Sequence, residues 1–282
     1  LYDTSYKWLG HYPGGLAMAT VGGCAAFAAV CGSSVATSAT MGTVALPAMR
    51  KYKYDDRLAL GSIAAGGTLG ILIPPSIVFI LYGILTEQSI GKLFLAGFLP
   101  GVLAIVLYLL AIIVQVRLNP KLGPPGPRVA FREKLVSLGQ TWGTLLLFSL
   151  VMGGIYFGFF TPTEAGAVGA FGAFVMAILK KRLTWRILYD CLLETGRMTA
   201  MLIIIFVGAM LFNYFLAVTN LPMEMAQLIV DQDMNRYMVL TAILVVYLLL
   251  GCIMDPGSMI ILTIPIVYPM IQSLGFNPIW FG

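Results

Sequence analysis

Long apolar runs dominate the chain, and their lengths are those of membrane-spanning helices. A helix needs about 20 mostly apolar residues to cross the hydrocarbon core of a bilayer. Five runs reach this length and predict one span each, over residues 58–85, 93–117, 141–160, 163–179 and 199–219. The pattern therefore predicts an all-α polytopic membrane protein.

Two further apolar stretches are interrupted near their middles by polar, helix-breaking residues. Stretch 14–49 is broken at residues 32–34, and stretch 237–274 is broken at residues 255–258. Each stretch is too long for one helix. Each predicts either two complete spans or a re-entrant hairpin whose tip lies at mid-membrane.

The composition agrees with a membrane protein and excludes several other classes. Of the 282 residues, 59% are hydrophobic and 10% are charged, whereas a soluble domain carries about a quarter charged residues. A soluble globular protein, a disordered chain and a disulfide scaffold are therefore excluded. The four cysteines are scattered and His11 is the single histidine, so we expect no metal centre bound by cysteine or histidine and no cofactor.

The basic residues predict the orientation of the spans. Fourteen of the 17 Lys and Arg residues lie within 50–57, 117–134 and 180–197, and two spans separate each group from the next. An even number of crossings returns the chain to the same side, so all three groups can be cytoplasmic, as the positive-inside rule requires. Loops 86–92 and 220–236 hold one basic residue each. Because the charge lies at membrane ends, the bilayer and not a nucleic acid is the expected partner.

With this orientation the two broken stretches enter the membrane from opposite faces, as in an inverted repeat. We predict a first-half repeat over 1–117, a proline-rich cytoplasmic linker over 118–140 and a second-half repeat over 141–282. Within the second half, segment 180–198 is amphipathic and cationic. It predicts either an arm on the cytoplasmic surface or a charged connector helix.

Polar residues at the breaks are the candidates for chemistry. Ser33 or Ser34 is a good N-cap for the helix that follows, which would place a helix N-terminus at mid-membrane; packing through small residues is the alternative. Asp255 is the corresponding cap before Pro256. An aspartate at this depth indicates a functional site, although capping alone is also a sufficient role.

Two adjacent prolines inside span 58–85 indicate a broken helix. Since proline has no N–H, Pro74 and Pro75 leave the carbonyls of Gly70 and Ile71 without their helical donors. Free carbonyls and serine hydroxyls are oxygen ligands of the kind that bind Na⁺ in transporters with broken helices. A packed proline kink is the alternative.

The remaining motifs favour structure over catalysis. Thr161, Pro162 and Glu164 form a capping box at the start of a span. The chain has no HExxH motif, and no histidine accompanies the serines at residues 33 and 34. We therefore expect a protein that is not an enzyme.

Several strings together carry a family resemblance: GSSVAT at 32–37, LIPPS at 72–76, TPTEA at 161–165 and GCIMDPGSM at 251–259. In these strings and their order, the chain resembles the large membrane subunit (DctM-like) of tripartite ATP-independent periplasmic (TRAP) transporters. The resemblance covers nearly the whole chain. The family's opening segments and its spans after the second hairpin are missing, so we expect an internal fragment.

The resemblance implies a Na⁺-coupled secondary importer in the bacterial inner membrane that works by an elevator mechanism. A transport domain with two re-entrant hairpins and broken helices would move against a scaffold. The implied substrate is a small organic acid, such as a C4-dicarboxylate, sialic acid or a similar carboxylate. The implied partners are a periplasmic solute-binding protein and a small membrane subunit, which is separate or fused.

The resemblance also implies two binding regions for sodium and substrate. The first would use Ser33, Ser34, Gly70, Ile73 and Pro75 as a Na⁺ site. The second would use the tip formed by Asp255, Gly257 and Ser258, together with a broken helix that this chain lacks.

Two other functions are also compatible with the sequence. One is a Na⁺-coupled dicarboxylate or citrate symporter that needs no receptor. The other is a channel or a membrane subunit that does not transport. The symporter would take up its substrate without a soluble receptor, whereas the predicted importer needs one. Accumulation of substrate against a gradient would exclude the channel and the subunit that does not transport.

Overall fold

The regular structure is helical throughout the part of the chain that the computed structural model describes, which is residues 1–126, 129–220, 223–224, 227 and 235–282. Pro127 and Arg128 of the predicted linker, and most of the predicted loop 220–236, lie outside the described residues. The helices are α1 (Tyr2–Leu9), α2 (Gly15–Cys31), α3 (Ser34–Lys51), α4 (Asp56–Leu72), α5 (Ile77–Thr86), α6 (Ile90–Leu118), a 3₁₀ turn (Pro120–Leu122), α7 (Phe131–Gln140), α8 (Trp142–Tyr156), α9 (Pro162–Leu179), α10 (Trp185–Thr219), α11 (Arg236–Gly251), α12 (Pro256–Ser273) and α13 (Pro278–Phe281).

Five helical segments in this part of the chain are long and apolar enough to cross a membrane: Asp56–Thr86, Ile90–Leu118, Pro162–Leu179, Trp185–Leu216 and Pro256–Ser273. A sixth is present if α7 and α8, which meet at a bend of 53°, form one span. The prediction of an all-helical polytopic membrane protein is therefore confirmed.

The helices form two compact units. The first comprises Leu1–Ile77 and Phe94–Leu179, and the second comprises Val78–Leu93 and Lys180–Gly282. The first unit is built around α2, α3 and α4. Small residues let these backbones approach closely: a Cβ on Gly66 would lie only 2.7 Å from the Cys24 sulfur.

The base of the first broken stretch is held by the segment that follows α6. The Gly14 N–H donates to the Gly123 carbonyl at 2.9 Å, and the Asp55 N–H donates to the Leu122 carbonyl at 3.0 Å. Tyr54, in the turn between α3 and α4, accepts a hydrogen bond from the Leu16 N–H at 3.1 Å, and burial raises the pKa of its phenol. The start of the predicted linker is thus an ordered part of the first unit.

The second unit has a smaller core. It is formed where α11 packs on α12, and its buried side chains are Val239, Leu240, Ile243, Met270 and Ile271. The Tyr82 hydroxyl donates to the Pro278 carbonyl at 2.6 Å, and the Gln88 amide donates to the Tyr268 hydroxyl at 3.2 Å. These bonds hold the end of α5 against the last two helices.

Helix α10 runs across the boundary that we predicted between arm 180–198 and span 199–219. It is one helix of 35 residues, about 52 Å long. A change from charged to apolar composition does not interrupt backbone hydrogen bonding, and no proline lies between residues 185 and 219. The placement of its first turns on a membrane surface stays a prediction.

Candidate functional site

The first candidate site begins at the turn between α2 and α3. Gly32 has a positive φ of 65°, which ends α2 without strain because glycine has no Cβ. Ser33 is extended, and its Oγ accepts a hydrogen bond from the Ala36 N–H at 3.4 Å. The Thr37 hydroxyl donates to the Ser33 carbonyl at 2.7 Å. The predicted N-cap is confirmed at Ser33, and Ser34 is the first residue of the helix.

The second part of this site is the break between α4 and α5. Residues 73–76 are not helical, and Ile73 is extended. The Ile71 carbonyl, which we predicted to be free, accepts a hydrogen bond from the buried Ser76 hydroxyl at 2.5 Å. The residue four positions after Gly70 is Pro74, which has no N–H and so cannot donate a helical hydrogen bond to the Gly70 carbonyl. The predicted break is therefore confirmed. The prediction that the Ile71 carbonyl is free is wrong.

Glycines bring these two parts into direct contact. A Cβ on Gly70 would lie 2.7 Å from the Ser33 carbonyl carbon and 2.8 Å from the Thr37 hydroxyl oxygen. A Cβ on Gly32 would lie 2.9 Å from the Pro75 carbonyl oxygen. Real Cβ atoms do not occupy such positions without movement of their neighbours. Ser33 and Gly70 are therefore adjacent, and Pro75 reaches the same turn.

A further glycine packs the next turn of α3 against α4. A Cβ on Gly67 would overlap the Ser38 hydroxyl and would lie 3.3 Å from the Ser34 carbonyl oxygen. Thr37, Ser38 and Gly67 were not among our predicted site residues. The signal that points to Gly67 is its spacing of three residues from Gly70, which places both glycines on one face of α4.

The oxygen atoms around this contact define its chemistry. They are backbone carbonyls and neutral hydroxyls, and in the described residues no three His, Cys, Asp or Glu side chains cluster as a metal site would need. Neutral oxygen ligands suit hard cations rather than transition metals. Since no carboxylate contributes charge here, a monovalent cation fits this part of the site better than a divalent one.

The second candidate site is the turn between α11 and α12. Asp255 is extended and exposed, and its Oδ2 accepts a hydrogen bond from the Gly257 N–H at 3.0 Å. Pro256 is the first helical residue, so the predicted cap is confirmed. A Cβ on the buried Gly257 would meet Leu81 at 3.7 Å and Leu202 at 4.0 Å. Ser258, in the next position, is partly buried.

The motif at Thr161 has the structural role that we predicted. The Thr161 N–H donates to Glu164 Oε2 at 2.8 Å, and the Glu164 N–H donates to the Thr161 hydroxyl at 3.3 Å. These reciprocal bonds are a capping box at the start of α9. The motif therefore needs no ligand to explain it.

The comparisons with known proteins agree on one family. A family described as "Tripartite ATP-independent periplasmic transporter, DctM component" matches residues 1–282. The C4-dicarboxylate TRAP transporter large permease protein DctM of Pseudomonas aeruginosa is 40% identical over 283 residues, which are 100% of this chain and 66% of that protein. The protein of the same description from Rhodobacter capsulatus is 36% identical, over 97% of this chain and 65% of its own length.

A third relative has a longer chain. The isethionate TRAP transporter permease protein DctMQ of Oleidesulfovibrio alaskensis is 33% identical over 100% of this chain and 44% of its own length. The chain thus spans slightly less than two thirds of the first two relatives and under half of this one.

Proposed function

Because the chain belongs to the DctM component family of TRAP transporters, we propose that it is part of the large permease subunit of a Na⁺-coupled importer of small organic acids. The observation that carries the sodium part is the contact of Gly70 with Ser33 and Thr37. It joins a capped helix N-terminus to a broken helix, and both elements carry oxygen ligands.

The proposed Na⁺ site uses the residues around this contact. The Gly70 carbonyl lacks a helical donor, and the hydroxyls of Ser33 and Ser34 lie at the start of α3. Ile73 and Pro75 lie in the break and add their carbonyls. Their role is to replace the water shell of the ion, which irregular backbone at membrane depth can do when it lines a cavity.

Each tip is proposed to attract the carboxylate of the substrate through the N-terminus of its second helix. Each N-terminus carries partial positive charge and unpaired N–H groups, which attract a carboxylate. Asp255, Gly257 and Ser258 form the second tip, where the Asp255 carboxylate favours a cation beside the substrate. Bound Na⁺ would offset the negative charge of the acid.

The transport cycle is proposed to be an elevator movement of an inverted repeat. Its support is the recurrence of one device, a helix, a break and a capped helix, at α2–α3 and at α11–α12. Residues 1–117 and 141–282 would be the two halves, joined by the cytoplasmic linker 118–140. The orientation follows the basic groups, with the protein in the bacterial inner membrane.

The proposed partners are a periplasmic solute-binding protein that delivers the acid and a small membrane subunit. The name DctMQ of the longer relative supports a small subunit that is fused in some members. The substrate class is supported by the names of the relatives, which include C4-dicarboxylate and isethionate transporters. A C4-dicarboxylate, sialic acid or a similar carboxylate fits this proposal.

The test is uptake by the full-length transporter in proteoliposomes. The purified large and small subunits are reconstituted, the solute-binding protein is loaded with a radiolabelled acid, and inward Na⁺ and K⁺ gradients are compared. We expect accumulation above equilibrium only with Na⁺ and only with the solute-binding protein. Uptake without that protein would favour the symporter that needs no receptor, and uptake that stops at equilibrium would favour a channel.

A further inference from the structure

A groove in the first unit lies beside the last turns of α6. None of its lining residues belongs to the proposed Na⁺ or substrate site. Its volume is about 420 Å³. One wall is the turn between α1 and α2, and the other is a stripe along α6. The lining residues include Leu9, Tyr12, Met18, Leu109, Ile113 and Arg117.

The wall formed by the turn is fixed by backbone contacts. Gly14 has a positive φ of 75°, and a Cβ there would lie 3.0 Å from the side chains of Ile112 and Val116. The Gly14 N–H donates to Gly123, and the Gly126 N–H donates to the Gly10 carbonyl at 2.8 Å. The turn is thus held against α6 on one side and against the following segment on the other, so the groove is preformed.

The α6 stripe changes from apolar to cationic along its length. Leu109, Ile113 and Arg117 are four residues apart and share one helix face. Arg117 lies next to the helix end at Leu118, on the face that the basic residues predict to be cytoplasmic. The groove therefore has an apolar body and a cation near the end of α6, which the predicted orientation places at the level of the cytoplasmic lipid headgroups.

The electrostatic surroundings of Arg117 favour an anion. None of the residues that line the groove is Asp or Glu. The ion pairs in the described part of the chain are Lys7 with Asp3 and Arg50 with Asp56, and neither involves Arg117. The Tyr12 side chain lines the groove and is half exposed, and an amphipathic ring of this kind is typical of a membrane interface.

We propose that this groove binds one anionic phospholipid from the cytoplasmic leaflet. The Arg117 guanidinium pairs with the phosphate, the Tyr12 hydroxyl donates to it, and an acyl chain lies along Leu109 and Ile113. Basic pockets between membrane helices on the cytoplasmic side are suited to such headgroups. The bound lipid fills an apolar groove beside the base of the first broken stretch.

The headgroup contact is tested by native mass spectrometry of the full-length large subunit titrated with dioleoylphosphatidylglycerol or dioleoylphosphatidylcholine. We expect phosphatidylglycerol to bind more tightly, and Arg117→Gln to weaken it about fivefold. The matched control is Arg132→Gln, an exposed basic residue of the same group that lies outside the groove. Equal affinity for the two lipids, or equal losses in the two variants, would overturn the proposal.

The acyl contact is tested by filling the groove. Ile113→Trp should lower phosphatidylglycerol binding at least as much as Arg117→Gln. Val114→Trp changes the neighbouring exposed position and should leave binding within twofold of the unmodified protein. Unchanged phosphatidylglycerol binding by Ile113→Trp would overturn the proposal. So would the absence of lipid binding to the full-length subunit because another segment covers the groove.

Discussion

The two broken stretches share one local design but differ in how their surroundings use it. In both, a helix ends, a short break follows, and the side chain of the last residue in the break caps the next helix: Ser33 caps α3, and Asp255 caps α12. At the first, the turn is pressed against α4 through Gly67 and Gly70. At the second, Asp255 is exposed and the closest neighbours of Gly257 beyond the cap are leucine side chains.

The difference between the two tips shows that capping a helix and forming a binding site have different requirements. At the first tip a neutral serine makes the cap, and the neighbouring helix α4 brings the Gly70 backbone beside it. The second tip has a carboxylate of its own and, in the described residues, apolar neighbours at Gly257. A cap is therefore local, whereas a binding site depends on the helix that packs on it.

The largest effect is expected when the contact of the first tip with α4 is forced apart. Gly70→Leu cannot be accommodated beside Ser33 and Thr37 without movement, and overpacking of this kind costs about 1–3 kcal/mol. We expect uptake by the full-length transporter at limiting Na⁺ to fall at least about tenfold. The protein should still insert into the membrane.

The matched control for that variant is Gly61→Leu in the same helix. Gly61 is exposed, and a Cβ there meets nothing within 4 Å. Its uptake should stay within twofold of the unmodified transporter. Equal uptake in the two variants, or wild-type Na⁺ dependence in Gly70→Leu, would contradict a site at this contact.

A charge-only change at the second tip is expected to have the next largest effect. Asp255→Asn keeps a side-chain oxygen that can accept from the Gly257 N–H but removes the negative charge. If the carboxylate contacts Na⁺, the apparent Na⁺ affinity in uptake should fall about tenfold, because bonds to charged groups are stronger than neutral ones. Unchanged affinity in Asp255→Asn, with a loss only in Asp255→Ala, would assign Asp255 to capping alone.

Removal of one neutral ligand at the first tip should have a smaller effect. Ser34→Ala should lower the apparent Na⁺ affinity about fivefold, the size expected for one neutral hydroxyl contact. Val35→Ala, at the adjacent exposed position, is the control and should be neutral. The readout is the Na⁺ concentration at half-maximal uptake. A Ser34→Ala value equal to that of Val35→Ala would remove Ser34 from the site.

The smallest effect on transport is expected at the capping box of α9. Thr161→Ala removes a cap and should cost about 1 kcal/mol of stability, which a thermal unfolding series in detergent would detect. Half-maximal Na⁺ for uptake should not change. A shift in that value would give Thr161 a part in coupling that its hydrogen bonds with Glu164 do not indicate.

Features that depend on neighbouring residues could be predicted from the sequence. The caps at Ser33 and Asp255, the capping box at Thr161 and the break at Pro74 follow from a few adjacent residues, because capping and proline act within one helical turn. The family could also be predicted, since its motifs stand in order along the chain; the match to the DctM component confirms it, and with it the expectation that the chain is not an enzyme.

Features that depend on packing could not be predicted in the same way. The bond from Ser76 to the Ile71 carbonyl and the part of Thr37 beside Gly70 arise only when α3, α4 and the break are folded together. The change in composition at residue 198 predicts a boundary, but α10 is continuous there because composition alone does not interrupt a helix.

The central claim, that the contact of Ser33 with Gly70 is a Na⁺ site, is tested most directly by equilibrium binding of radioactive sodium. The full-length large subunit is measured without substrate as the unmodified protein, as Gly70→Ala and as Gly61→Ala. We expect saturable binding that Gly70→Ala weakens at least about fivefold, because its Cβ displaces Ser33 and Thr37, and that Gly61→Ala leaves unchanged. Sodium binding that is the same in all three proteins would contradict it.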